Sequence, residues 1–134
     1  MINIAKEYLS YGLSVLPIKK DSKSPAVPTW KELQLDRMSE ETAERVFEAG
    51  RGIGIIGGSV SGNLEIIDFD NHLNNAEQLF NEFMPIIDTF GLPYEKTISG
   101  GYHVFYRCVD EVSGNKELAN MYDATSRMPV AVIE

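Results

Sequence analysis

Cysteine is almost absent from this chain. Cys108 stands alone, so no internal disulfide can form, and its use fits a reducing compartment. Its apolar and aromatic neighbours make it a strand packing residue rather than a nucleophile. Long apolar runs are missing too: nothing approaches the roughly 18 residues that span a membrane. The start, Met1-Ile2-Asn3-Ile4-Ala5-Lys6-Glu7, lacks the charged-then-apolar layout of a signal peptide. A cytoplasmic location follows as an expectation. Basic residues are scarce: 12 Lys and Arg face 20 Asp and Glu, for a formal net charge of −8. That balance argues against a dedicated nucleic-acid-binding module, which is normally basic. It leaves room for an enzyme acting on nucleotides, because metal ions offset clustered carboxylates locally. Only two histidines occur, His72 and His103. They are too far apart in sequence for the paired-histidine metal site of rolling-circle initiators.

What is present is ordinary globular material, 43% hydrophobic and 24% charged over 134 residues. That length suits one domain, residues 1–134. No internal repeat, low-complexity tract or linker interrupts it.

Hydrophobic spacing predicts a helix over residues 3–11, with Ile4, Tyr8 and Tyr11 on one stripe, and a strand over 13–18. A polar, proline-bearing loop leads to Trp30. Ser39 reads as the N-cap of a helix running to about residue 49. Residues 52–58 are apolar and glycine-rich, a buried strand where another backbone or a ligand comes close. The economical reading joins them by a hairpin to a strand over 63–70. Ala76, Leu79, Phe80, Phe83 and Ile87 mark a helix over 74–90, with Pro85 as a possible kink. Residues 95–99 and 102–107 read as strands across a Gly100-Gly101 turn. Residues 110–128 look irregular, with a short helix near 116–121, and 129–134 form a last strand. The order is mixed, so the class is α+β with a mainly antiparallel sheet.

Chemistry concentrates in three places. The first is Ile66-Ile67-Asp68-Phe69-Asp70. Alternation puts Asp68 and Asp70 on one face of a strand, about 6.6 Å apart along it, and Glu65, Ile67 and Phe69 on the other. Asp is a poor residue inside an apolar strand, and a broken local rule often marks a site. The second is Ser99-Gly100-Gly101-Tyr102-His103. Ser99 and the amides of Gly100 and Gly101 suit an anion-binding concavity, and His103 and Arg107 share a face from which both can donate to a polyphosphate. The third is Val130-Ala131-Val132-Ile133-Glu134, an apolar run ending in a carboxylate. Two acids on one strand and a third on another suit a divalent metal such as Mg²⁺ held over a polyphosphate.

Milder readings stand beside these. Asp70-Asn71 also fits a cap for the following helix, His72 an exposed turn residue, and Gly-Gly-x-His a plain hairpin. Residues 52–58 fit neither a dinucleotide fingerprint nor a P-loop, since the spacing fails and no Gly-Lys-Ser/Thr occurs. Apolar-Asp-x-Asp also opens haloacid-dehalogenase-type phosphatases. There, however, it sits near the N-terminus and is followed by Thr or Val where His72 stands here.

In order and spacing the chain resembles the N-terminal domain of bifunctional DNA primase/polymerases, the prim-pol branch of the archaeo-eukaryotic primases. The likeness runs through Ala5, Tyr8, Gly12-Leu13, Val15 and Pro17, then Lys23-Ser24-Pro25 and Trp30. It continues through residues 52–57, the Asp68/Asp70 pair and Ser99 to His103. The resemblance implies an RRM-like sheet flanked by helices. It also implies template-dependent nucleotidyl transfer from nucleoside triphosphates on a single-stranded or primed DNA template. Asp68, Asp70 and Glu134 would be the Mg²⁺ or Mn²⁺ ligands. Ser99, Gly100, Gly101, His103 and Arg107 would address the nucleotide. Lys23 would add a phosphate contact, with a solvated loop lysine as the alternative. The family occurs on phages, plasmids and integrated elements, in some cases with a helicase domain downstream. Its third motif continues past an acidic residue where this chain stops, which suggests an N-terminal fragment of a larger protein. A catalytically silent nucleotide- or partner-binding remnant is the competing reading.

Overall fold

A computed structural model describes residues 1–112 and 114–134. The order is α1 (Ile2–Ser10), β1 (Ser14–Ile18), α2 (Glu40–Val46), β2 (Gly52–Ile56), β3 (Leu64–Phe69), α3 (Ala76–Phe90), β4 (Tyr94–Lys96), β5 (Tyr102–Arg107), β6 (Ala119–Asp123) and β7 (Met128–Ile133). Short 3₁₀ turns at Trp30–Gln34 and Ser59–Ser61 complete it. The class is α+β, as expected. Its strands form two sheets, β1-β2 and β4-β5-β3-β7-β6. The chain divides into two compact units, one holding Met1–Leu64 with Cys108–Val112, the other Glu65–Arg107 and the segment ending at Glu134.

In the first unit Ala5 of α1, Val15 of β1, and Ala43 and Phe47 of the α2 segment are buried together with Met38. Ser39 caps α2 as expected, its side chain accepting from the Thr42 amide at 3.1 Å. The helix stops at Val46 rather than near residue 49, because Phe47 leaves helical geometry at φ −89°, ψ 68° and is itself buried. β1 and β2 pair antiparallel, with Leu16 opposite Gly54 and Ile18 opposite Gly52. A Cβ on Gly54 would sit 3.0 Å from Leu16 Cδ2 and 3.1 Å from Ile18 Cδ1. The close neighbours of this glycine-rich strand are therefore side chains of β1.

The expected hairpin between β2 and β3 does not form. The two strands lie in different sheets, and one isolated bridge, Gly58 to Leu64, joins their ends. Serine hydrogen bonding accounts for the break. Ser61 is fully buried; its hydroxyl donates to the Ile56 carbonyl and accepts from the Ser14 amide at 2.8 Å. That pins the turn back onto the β1-β2 pair.

In the second unit α3 covers one face of the five-stranded sheet. Phe69, Ala76, Phe80, Ile87, Tyr102 and Val104 form its core, with Ile67, Phe83 and Ile133 packed against it. Phe80 stacks on Tyr102 at 4.0 Å between centroids and meets Phe69 edge-on at 5.8 Å. These are the residues that the helical stripe and strand alternation put inside. Pro85 lies on the exposed side of α3, where a carbonyl deprived of its N–H partner meets water, and the helix continues through it.

Two expectations fail here. No helix forms at 116–121: residues 116–118 are irregular and 119–121 open strand β6, paired antiparallel with β7 from Asp123↔Met128 to Ala119↔Ile133. A tight turn drives the pairing, with the Asp123 carboxylate accepting from the Thr125 and Ser126 amides at 3.0 and 3.1 Å. Residue 113, within the stretch read as irregular, lies outside the described residues. The β4-β5 connection is also longer than a two-residue turn. β4 ends at Lys96, and the loop closes when Thr97 N–H donates to the Gly101 carbonyl at 2.8 Å.

Candidate active site

β3 places the two aspartates. Phe69 is fully buried against α3, so its neighbours Asp68 and Asp70 emerge on the opposite face. β7 runs antiparallel beside β3 with Phe69 opposite Ile133. Asp68 N–H donates to the Glu134 carbonyl at 2.9 Å, and Glu134 N–H donates to the Asp68 carbonyl at 3.0 Å. This reciprocal pair puts Glu134 directly across from Asp68, on the same face. One step along, Asp70 N–H donates to the Val132 carbonyl at 3.1 Å.

β5 flanks β3 on its other side. His103 Nε2 lies 3.6 Å from Asp68 Oδ1, and its Nδ1 lies 3.0 Å from Glu95 Oε1 on β4. Glu95 and His103 are register partners. Glu95, His103, Asp68 and Glu134 thus form a row across β4, β5, β3 and β7. Among the described residues no three of His, Cys, Asp or Glu are gathered closely enough to hold a metal ion. The carboxylates fit a hard divalent cation in kind and in the face they share. They stand around that face without converging.

The Ser99 loop approaches the same strand end, and glycine makes the approach possible. A Cβ on Gly101 would fall 2.4 Å from the Phe69 carbonyl oxygen, and one on Gly100, at φ +86°, 2.9 Å from Asn71 Nδ2. The Gly100 amide donates to the Thr97 carbonyl and the Gly101 amide to Thr97 Oγ1, both at 3.0 Å. Both amides therefore point into their own loop. The Ser99 hydroxyl is exposed, 3.0 Å from Thr97 Oγ1.

Asp70 does not cap the next helix. That part falls to Asn71, whose Oδ1 accepts from the Ala76 amide at 3.3 Å. His72 is an exposed turn residue, as the milder reading had it, with Nε2 3.5 Å from Asp70 Oδ1. Arg107 ends β5 on the side that alternation gives to His103. Lys23 belongs to the first unit, in an exposed loop. An open depression of about 610 Å³ on α3, lined by Asn74, Glu77, Gln78, Asn81 and Glu82, includes none of these residues.

Sequence reasoning missed Glu95 and Thr97, and read Asn71 only as a helix cap and not as a partner of the Ser99 loop. A two-residue turn at Gly100-Gly101 would set Glu95 opposite Tyr106, which hides its pairing with His103. The available signal was Thr97, a hydroxyl able to bond its own loop's amides and lengthen the turn.

The family described as bifunctional DNA primase/polymerase, N-terminal, matches residues 5–132. This chain belongs to that family. It is a DNA primase/polymerase-type domain. The match takes in Lys23, Asp68, Asp70, the Ser99 loop, His103 and Arg107, and Glu134 falls just beyond its end. No curated protein matches the chain. No helix among the described residues is long and apolar enough to cross a membrane.

Proposed function

We propose that this prim-pol domain catalyses divalent-metal-dependent nucleotidyl transfer on a DNA template, using the sheet face opposite α3 that carries Asp68, Asp70, Glu134 and His103. One observation supports the reading most: the reciprocal backbone pair between Asp68 and Glu134, with His103 on the strand beyond, aligns three strands' polar residues on one face. Asp68, Asp70 and Glu134 would hold Mg²⁺ or Mn²⁺. Such ions, when bound, activate an attacking 3′-hydroxyl and stabilise departing pyrophosphate.

The remaining roles belong to side chains of the chain itself. His103 and Arg107 would donate to the triphosphate, and the exposed Ser99 hydroxyl would add a neutral donor. Gly100 and Gly101 would serve by shape, letting the loop lie against the end of β3. Within the cell the protein would act in the cytoplasm, replicating a phage, plasmid or integrated element, alone or with a helicase domain.

The test is labelled deoxynucleotide incorporation by the full-length protein on primed and unprimed single-stranded DNA, with Mg²⁺ or Mn²⁺, beside Asp68→Ala/Asp70→Ala. Incorporation lost in the double variant is expected, and the unprimed lane separates priming from extension. Nucleotide binding without incorporation by a folded protein would favour the silent-binding reading.

A further inference from the structure

We propose that Asn71 is a positioning residue that locks the Ser99 loop to the acidic strand, fixing the nucleotide-contacting residues relative to the carboxylates; this rests on the nucleotidyl-transfer reading above. Asn71 follows Asp70 directly. Its Nδ2 donates to the Ser99 carbonyl at 3.1 Å, while its Oδ1 accepts from the Ala76 amide at 3.3 Å. The amide orientation is dictated by chemistry, because Ser99 offers a carbonyl and Ala76 an N–H. One side chain thus binds the end of β3, the Ser99 loop and the first turn of α3. Gly100 leaves the room, since a Cβ there would lie 2.9 Å from Asn71 Nδ2. The loop's other bonds, from Thr97, Gly100 and Gly101, are internal and set its shape. The Asn71 bond instead ties the loop to a different element. The tether is geometric and acts through Ser99 and His103 rather than on substrate.

Two variants separate the two halves of the bridge. Asn71→Asp keeps an acceptor for the Ala76 amide but sets a carboxylate oxygen against the Ser99 carbonyl. Asn71→Ala removes both bonds without adding charge. In the full-length protein, amide exchange at Gly100 and Gly101 is expected to quicken roughly tenfold in both variants, while the Ala76 amide quickens only in Asn71→Ala. In the incorporation assay, KM for the nucleotide rises roughly tenfold in both variants, with kcat changed much less.

Unchanged exchange at Gly100 and Gly101 overturns the tether whatever the activity. A KM rise confined to Asn71→Asp marks added charge and overturns it as well. So does faster exchange with wild-type KM, because the loop would then be free to move without consequence. Absence of incorporation by the wild-type protein overturns the underlying reading and the positioning role with it, and the exchange data keep that failure distinct from failure of the tether.

Discussion

At the residue scale, the arrangement depends on what is missing at Gly101 as much as on what the aspartates supply. The Phe69 carbonyl oxygen occupies the place where a Cβ would go, 2.4 Å away. Gly101→Ala therefore has to push the start of β5 away from β3 and carry His103 with it. We predict a stability loss of about 1–3 kcal/mol, read by chemical denaturation, together with at least a tenfold fall in incorporation. A variant with wild-type stability and rate would show that the close approach is unnecessary. Asp123 gives a residue-scale prediction in pH. Its carboxyl is held below its ordinary value of 3.8 by the Ser126 hydroxyl first, then by the Thr125 and Ser126 amides. The folded state thus gives up that proton more readily than the unfolded chain, so Asp123 stabilises at higher pH. The contribution is complete above the ordinary carboxylate range and is lost as pH falls through the depressed folded value. Thermal melts of wild type and Asp123→Ala are expected to differ at pH 6 and to converge as both enter strong acid. A difference that grew on acidification would refute the sign.

At the element scale, α3 is the support that faces β3 and β5 correctly. Its stripe buries Phe80 between Phe69 and the Tyr102 ring, so the alternate residues Asp68 and His103 must face outward. Phe80→Ala should cost about 3–5 kcal/mol, and denaturant midpoints would measure it. Phe80→Leu should cost distinctly less and retain a folded protein. α3 and the facing of β3 were legible because period 3.6 and period 2 are both written in large apolar residues. The Ser39 cap was legible for a similarly local reason, a hydroxyl ahead of two acids. The β2-β3 break was not, because it rests on Ser61 and Ser14 meeting across a long stretch of chain. Strand β6 was missed because Ala119–Asp123 carries no alternation of its own and takes its structure from pairing with β7. The Glu95–His103 contact was hidden by one misjudged turn length, since a hairpin's register follows from its loop.

At the scale of the whole molecule, the charge of −8 and the acidic sheet face belong to one problem. A protein this acidic repels nucleic acid and triphosphate unless its carboxylates are offset where the chemistry occurs. We place that offset at the Asp68, Asp70 and Glu134 face; family membership shows only that the domain is of the DNA primase/polymerase type. The account stands most directly on Asp68, which both pairs with Glu134 and faces His103. The decisive measurement is the steady-state rate of deoxynucleotide incorporation by full-length Asp68→Asn beside wild type, with a thermal melt of each. The account predicts a fall of roughly a thousandfold at an unchanged melting temperature, since Asn keeps the size and loses the charge. Wild-type incorporation by folded Asp68→Asn would contradict it and move the chemistry to another face of the protein.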